Sequence, residues 1–500
     1  MEKKIVLLPL DERPCNALFP GKLLAGSGVQ VAVPQALGDK KHPADVDGLI
    51  DFLNAQCADA DGLILSMDML LYGGLLPSRL HSLDDNVIAR RLETVRALKR
   101  RNPALVIYAF QCIMRCPAYS SADEEPDYYE QYGELIHKAG AALHKSLLGL
   151  ADRGEYEALC RQIPAEALAD YTARRAVNLA WNKRTLALVK EGVIDFLIVP
   201  QDDSAPYGYT AMDQQQVRDE IARQRQQMKA LMYPGADEVG LTLLSRMLLH
   251  FAGKTPGVYL LWAAAQAGRT VPLYEDRPLA ETVKYHLMAA GCRTVDTAAE
   301  ADFILALSCP VGQMVEAVDQ PARTAGYCVE RSLPAFVDAI AHYIRAGRAV
   351  TVCDNAYANG ADLELVDLLD QMQLLDKLAG YAGWNTSANS LGTAIAQGVR
   401  AMVLGTGGGH RDFLALRYVE DALYCAVVRW AVTDEVLPGL GMNYFDVDDE
   451  RGAVSEEVRC QLERFADRYL PSLRGHIFLE DVRMPWRRMF ETDLTVRWEP

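Results

Sequence analysis

No apolar run in this 500-residue chain approaches the length needed to cross a bilayer. The N-terminal stretch MEKKIVLLPLDERP opens on two lysines, but its apolar run is short and interrupted at Pro9, so no secretory signal is expected. Positive charge is in deficit as well: 51 Lys and Arg face 67 Asp and Glu, a formal net charge of −16. A general nucleic-acid surface needs a basic stripe to displace phosphate counterions, and the charge balance argues against one. The one dense basic run, Lys99-Arg100-Arg101, closes a helical segment, where cations favour the helix dipole. Nine histidines include no HExxH pattern or close pair, and Cys112 and Cys116 lack matching partners, so zinc is not expected. The glycine-rich segment at 405–410 lacks both the Lys-Ser/Thr ending of a phosphate loop and the dinucleotide spacing. Neither a solenoid repeat nor a low-complexity tract is present. Disulfide frameworks are equally absent: eleven scattered cysteines, an odd number, fit free thiols in the reducing cytoplasm.

What is present is a globular balance, 50% hydrophobic and 24% charged, long enough for a large core with accessory regions. Short β-branched or apolar runs followed by polar clusters predict strands over 5–10, 29–34, 61–67, 104–111 and 195–200, then 303–308, 349–354 and 379–384. Helical patterns lie between them, which reads as parallel βαβ units. The expected fold is α/β with a mainly parallel sheet. Its core would be a (β/α)8-like barrel from 1–235 and 300–400, interrupted by an α/β insertion at 236–299 and followed by a mostly helical region at 401–500. If the strands inside 236–299 join a main sheet, the alternative is two doubly wound α/β lobes.

Parallel sheets place ligands at the C-terminal ends of their strands, and here those ends carry acids, amides, Arg and Trp. They include Asp11 and Arg13, Asp68, Arg115, Asp202 and Asp203 followed by Tyr207, Asp354 and Asn355, and Trp384 and Asn385. Such residues also cap the helix that follows, so each has a structural alternative. Asp202-Asp203 is the sharpest pair. Successive strand residues point to opposite faces, so both can enter one site only if the chain bends, for which Pro206 and Gly208 provide. Two adjacent acids hold one proton more tightly, which suits a general acid near neutral pH. Glycoside hydrolysis uses that chemistry: one Asp protonates the leaving oxygen, while the other orients an acetamido group whose carbonyl attacks. Trp384 would wall the sugar face, with Asn385, Asp11, Arg13 and Asp354 on its hydroxyls. The competing pair Asp237-Glu238 precedes a helical run, and Glu238 stands as the alternative acid.

The expected activity is thus a retaining, substrate-assisted glycosidase on a terminal N-acetylhexosamine or related small carbohydrate, without a cofactor. Two alternatives stay open. Asp11, Asp68, Asp202 and Asp354 could hold Mg²⁺ or Mn²⁺ in a lyase or isomerase of a sugar acid or polyol, or the strand-end acids could serve a non-catalytic sugar-binding protein. Neither a nucleic-acid nor a membrane partner is expected, and self-association into a homo-oligomer is left open.

At PLDERPCN, SMDMLLYGGLLPSR, PQDDSAPYG, PGADEVG, YEDRP, DNAYANGAD and AGWNTSANSLGTAIAQG the chain resembles a bacterial family of about 500-residue proteins catalogued as a domain of unknown function, family 4127. That resemblance spans nearly the whole chain and implies no activity. A local likeness is carried by FLIVPQDDS, whose Asp pair resembles the catalytic pair of family 84 glycoside hydrolases, the O-GlcNAcase type. It implies that Asp202 orients the acetamido group and Asp203 is the acid and base.

Overall fold

The computed structural model describes residues 2–499. Each strand of the first half is a short apolar run: β1 (Lys3–Leu8), β2 (Val29–Ala32), β3 (Gly62–Ser66), β4 (Val106–Phe110), β5 (Phe196–Gln201) and β6 (Ala230–Pro234). They pair in parallel in the order β2-β1-β3-β4-β5-β6. β3, β5 and β6 are buried along their whole length, because helices cover both faces of the sheet and leave no solvated side to alternate towards.

A second parallel sheet follows, in the order β13-β11-β9-β7-β8. It comprises β7 (Gly257–Trp262), β8 (Arg293–Val295), β9 (Phe303–Ser308), β11 (Val350–Asp354) and β13 (Gly380–Ala382). Two small pairs complete the strands: β10 (Val315–Glu316) beside β12 (Tyr357–Ala358), and the antiparallel hairpin β14 (Ile477–Arg483) with β15 (Asp493–Trp498).

All eight expected strands form, in a six-stranded and a five-stranded parallel sheet, and no pairing among the described residues closes them into the expected (β/α)8 barrel. The residues read as an insertion, 236–299, carry β7 and β8, which pair into the second sheet beside β9. The physical reason lies in the helix Val239–Ala252. Between Val239 and Leu249 every residue except Arg246 is buried. A barrel helix keeps one face to solvent along its length, whereas this one is enclosed over most of its turns and meets solvent chiefly towards its C-terminal end. This one leaves β6 and is sandwiched between the first sheet and the helices Leu279–Ala290 and Ser387–Leu404. Its Met247 fills the space where a Cβ on Gly62 of β3 would stand, 2.6 Å from the sulfur. Gly392 admits the partner helix in the same way: a Cβ there would lie 2.2 Å from Glu238 Cγ.

Beyond residue 401 the chain is helical at Gly409–Glu435, including a π-helical stretch Tyr418–Val428, and again at Ala453–Tyr469. The final hairpin then returns to the first half, where Lys22 Nζ meets Asp493 at 3.0 Å. Among the described residues no helix is long and apolar enough to cross a membrane.

Candidate functional site

Strand ends of both sheets and the C-terminal region converge on one cavity of about 590 Å³. From the first sheet come Arg13 after β1, Arg79 beyond β3, Arg115, Glu124 and Glu125 after β4, Gln201-Asp202-Asp203 closing β5, and Gly235 and Asp237 after β6. The second half supplies Tyr274 and Glu275, Glu316 of β10, Asn359 after β12, and Asn385 and Asn389 after β13. Arg429, Trp430, Tyr444, Phe445, Arg488 and Phe490 add a third wall.

The bend that an Asp-Asp pair requires is present, and its form is specific. Asp203 lies in the left-handed region, φ 44°, so its side chain joins that of Asp202 in the same cavity. Asp202 Oδ2 accepts Arg79 Nη2 at 2.8 Å, and Asp203 Oδ2 accepts Arg115 Nη1 at 3.0 Å. The same two arginines grip Glu124 and Glu125: Glu125 Oε1 takes Arg79 Nη1 at 3.1 Å and Arg115 Nε at 2.8 Å, while Glu124 Oε2 takes Arg115 Nη2 at 2.8 Å. Arg488, from the final 20 residues, reaches Glu124 Oε1 at 2.6 Å and Asp123 at 2.9 Å. Across the cavity, Arg13 bridges Asp11 (2.7 Å) and Asp237 (2.6 Å), and Asn16 Nδ2 ties the same two carboxylates together.

These partners sort the acids electrostatically. Burial pushes the Asp203 carboxyl up to about 6, Asp202 adds to that effect, and Arg115 and Arg79 oppose it. For Glu124 burial acts in the same direction but loses, because Arg115, Arg488, Arg79 and Arg13 hold it well below the ordinary carboxylate range. Glu275 forms no ion pair with an arginine or lysine among the described residues, and His286 opposes its burial only in part. Burial lifts it to about 7, although the Ala388 N–H donates to Oε1 at 2.8 Å and Thr282 Oγ to Oε2 at 3.2 Å.

Of the residues singled out in the sequence, Arg13, Arg115, Asp202, Asp203 and Asn385 line this cavity. The others are placed elsewhere. Asp11 lies behind Arg13 and orients it. Glu238 is fully buried under the 235–237 turn, accepting Ala236 N–H at 2.9 Å and contacting His286 Nε2 at 3.1 Å, so it shapes the loop that presents Asp237. Asp68 accepts the Cys112 N–H at 2.8 Å and joins the ends of β3 and β4. Asp354 accepts from Tyr381 Oη and from the N–H groups of Ala356 and Asp362, beneath the second sheet's strand ends. Asn355 donates to Ser387 C=O at 3.0 Å.

Trp384 forms no cavity wall: its Nε1 donates to Thr393 Oγ1 at 3.1 Å and its ring packs edge-on against Phe19. Tyr207 lies outside, edge-on to His144. The four acids considered as oxygen ligands, Asp11, Asp68, Asp202 and Asp354, are therefore held by separate partners. Among the described residues no cluster of three or more His, Cys, Asp or Glu side chains is arranged to hold a metal ion.

Sequence reasoning missed Arg79, Glu124, Glu125, Gln201, Glu275, Glu316, Asn359, Arg429 and Arg488, and read Asp237 only as the partner of Glu238 in the competing pair. Glu275 lies inside the YEDRP motif and Arg79 inside LLPSR, so a signal existed for both. Glu124 and Arg488 meet across 364 positions and Glu125 meets Arg79 across 46, and nothing periodic marks any of them.

The family model described as "Protein of unknown function (DUF4127)" matches residues 5–495, so the chain belongs to that family. None of the curated proteins compared matches it.

Proposed function

We propose that this family member is a retaining glycoside hydrolase acting on a terminal N-acetylhexosamine or a related small glycoside, with Asp203 as acid and base and Asp202 as the group that orients the acetamido N–H. The observation that carries the reading is the Asp202-Asp203 pair facing one cavity, with the Asp203 carboxyl raised to about 6. A carboxyl in that range keeps a proton to give to a leaving oxygen close to neutral pH, and afterwards takes one back from water. Arg79 fixes the Asp202 carboxylate by a charge-assisted bond, so it can accept the acetamido N–H in a set direction. The substrate's own carbonyl oxygen would then attack the anomeric carbon.

The rest of the wall suits a sugar. Tyr119, Tyr274, Trp430, Tyr444 and Phe490 offer apolar faces, and Gln201, Asn359, Asn385 and Asn389 offer amides for hydroxyls. A volume of about 590 Å³ falls within the range of ligand cavities that enclose most of their guest.

The test is a panel of 4-nitrophenyl N-acetylhexosaminides with the full-length protein. Turnover should fall on the alkaline side as Asp203 loses its proton, and that limb should vanish in Asp203→Asn. The variant should lose about 10²- to 10⁴-fold on the 4-nitrophenyl substrate and recover on a 2,4-dinitrophenyl glycoside, whose leaving group needs no proton. Unchanged turnover in Asp203→Asn on a cleaved glycoside would remove the proposed acid.

A further inference from the structure

Four of the five arginines in the cavity wall are neutralised by carboxylates of the chain itself. Arg13 has Asp11 and Asp237, Arg79 and Arg115 have the Asp202, Asp203, Glu124 and Glu125 set, and Arg488 has Asp123, Glu124 and Glu491. Arg429 differs. It is 2% exposed, and among the described residues it forms no ion pair.

Its two terminal nitrogens are spent on backbone carbonyls: Nη1 on Phe490 at 2.9 Å, Nη2 on Asn359 and on Cys425 at 3.2 Å. Nε has no partner, and neither has the indole N–H of Trp430, the next residue. Both residues line the cavity. Glu316, an acid in the same wall, is engaged by Tyr274 Oη and, at 2.8 Å, by Asn359 Nδ2.

Carbonyl dipoles orient a guanidinium but bring no net negative charge, and Glu316, close enough to favour the charged guanidinium, is held by Tyr274 and Asn359 and forms no ion pair with it. A buried charge without a directly paired carboxylate is under-stabilised, and one that stands beside an open cavity leaves room for an anionic partner there. The fold also aims this cation deliberately. The π-helical stretch ends as the Arg429 N–H bonds to Tyr424 C=O five residues back, and the carbonyls of three separate segments hold the head group at the cavity wall.

We propose that Arg429 recognises an anionic group of the ligand, a carboxylate or a phosphate, which makes the preferred substrate an acidic sugar and not a neutral one. The word sugar rests on the function proposed above; the negative charge does not.

Titration calorimetry on the full chain tests this without requiring turnover. Glucuronate is compared with glucose, and N-acetylglucosamine 6-phosphate with N-acetylglucosamine. At least one acid should bind roughly tenfold or more tightly than its neutral parent, as one charge-assisted hydrogen bond provides, and which acid does so separates the carboxylate from the phosphate. Arg429→Gln should abolish the ratio. Arg429→Lys, which also gives up the three-carbonyl clamp but keeps the charge, should retain most of it.

No acid binding more tightly than its parent overturns the assignment, as does a ratio that survives Arg429→Gln. Loss of the ratio in both variants would also overturn it, by showing that the clamp and not the charge matters. Acid preference in a protein that cleaves no aryl glycoside would sink the hydrolase reading and leave this one standing. Cleavage of neutral glycosides with no acid preference would do the reverse.

Discussion

Replacing Asp203 by Asn should stabilise the protein at alkaline pH while disabling it. The reasoning starts from the Asp203 carboxyl, displaced from 3.8 to about 6, mainly by burial and then by Asp202. An acid raised in the folded state binds more protons there than in the unfolded chain. Stability from this group is therefore full below the unfolded value and is lost as pH rises through the folded one. The displacement corresponds to roughly 3 kcal/mol, of which about 2 kcal/mol falls between pH 4.5 and pH 8. Asn removes the ionisation and with it the loss. It also weakens the 3.0 Å bond from Arg115, but Arg115 keeps Glu124 and Glu125, and that cost is nearly the same at both pH values. Urea melts of wild type and Asp203→Asn at pH 4.5 and 8 isolate the effect. The difference between the two proteins should move towards the variant by about 2 kcal/mol on going to pH 8. A difference that stays constant with pH would refute the argument that this carboxyl sits under an ionisation penalty.

Three further substitutions probe the frame around the site. Arg79→Met strips a 2%-exposed cation from Asp202, Glu124 and Glu125, and should cost about 3–5 kcal/mol in urea melts; a loss below about 1 kcal/mol would mean the acids repartner freely. Trp384→Phe should lower stability by about 1 kcal/mol through the lost bond to Thr393, yet leave ligand affinity unchanged, and a tenfold loss of affinity would return Trp384 to the binding surface. Gly392→Ala places a Cβ 2.2 Å from Glu238 Cγ, so thermal melts should show destabilisation of about 1–3 kcal/mol; an unchanged midpoint would contradict the close helix approach.

The strands were legible because a parallel strand covered on both faces is a continuous apolar run, and FLIVPQ or GLILS announces itself without tertiary information. Whether such strands close into a barrel depends on which edges pair, and pairing is invisible in the local pattern. The one local clue was the helix Val239–Ala252, buried from Val239 to Leu249 except at Arg246, which is more enclosure than the outer helix of a barrel needs. Asp202-Asp203 was legible for the same reason as its strand: it terminates an apolar run. What decides its chemistry was not, since Arg488 meets Glu124 across 364 positions and Arg13 meets Asp237 across 224.

Backbone strain at the cavity bears on how the site works. Asp203 (φ 44°), Tyr274 (φ 68°), Asn359 (φ 60°) and Asn385 (φ 46°) all line it, and all lie in the left-handed region. Asn adopts that conformation readily, but a Tyr there is strained and persists only where its surroundings over-determine it. The restraints on Tyr274 are visible: its carbonyl accepts the Ser204 N–H at 3.1 Å, and its hydroxyl donates to Glu316. Ser204 directly follows Asp203, so the bend that turns the second acid into the cavity is tied to a loop leaving the other sheet. Asn359 N–H likewise donates to Asn385 C=O at 2.7 Å, which locks two more walls together. Acid geometry and lobe arrangement are thus one unit. A displacement of one lobe against the other would move Asp203 relative to Arg115, and the cavity is preorganised to the extent that these backbone bonds resist it.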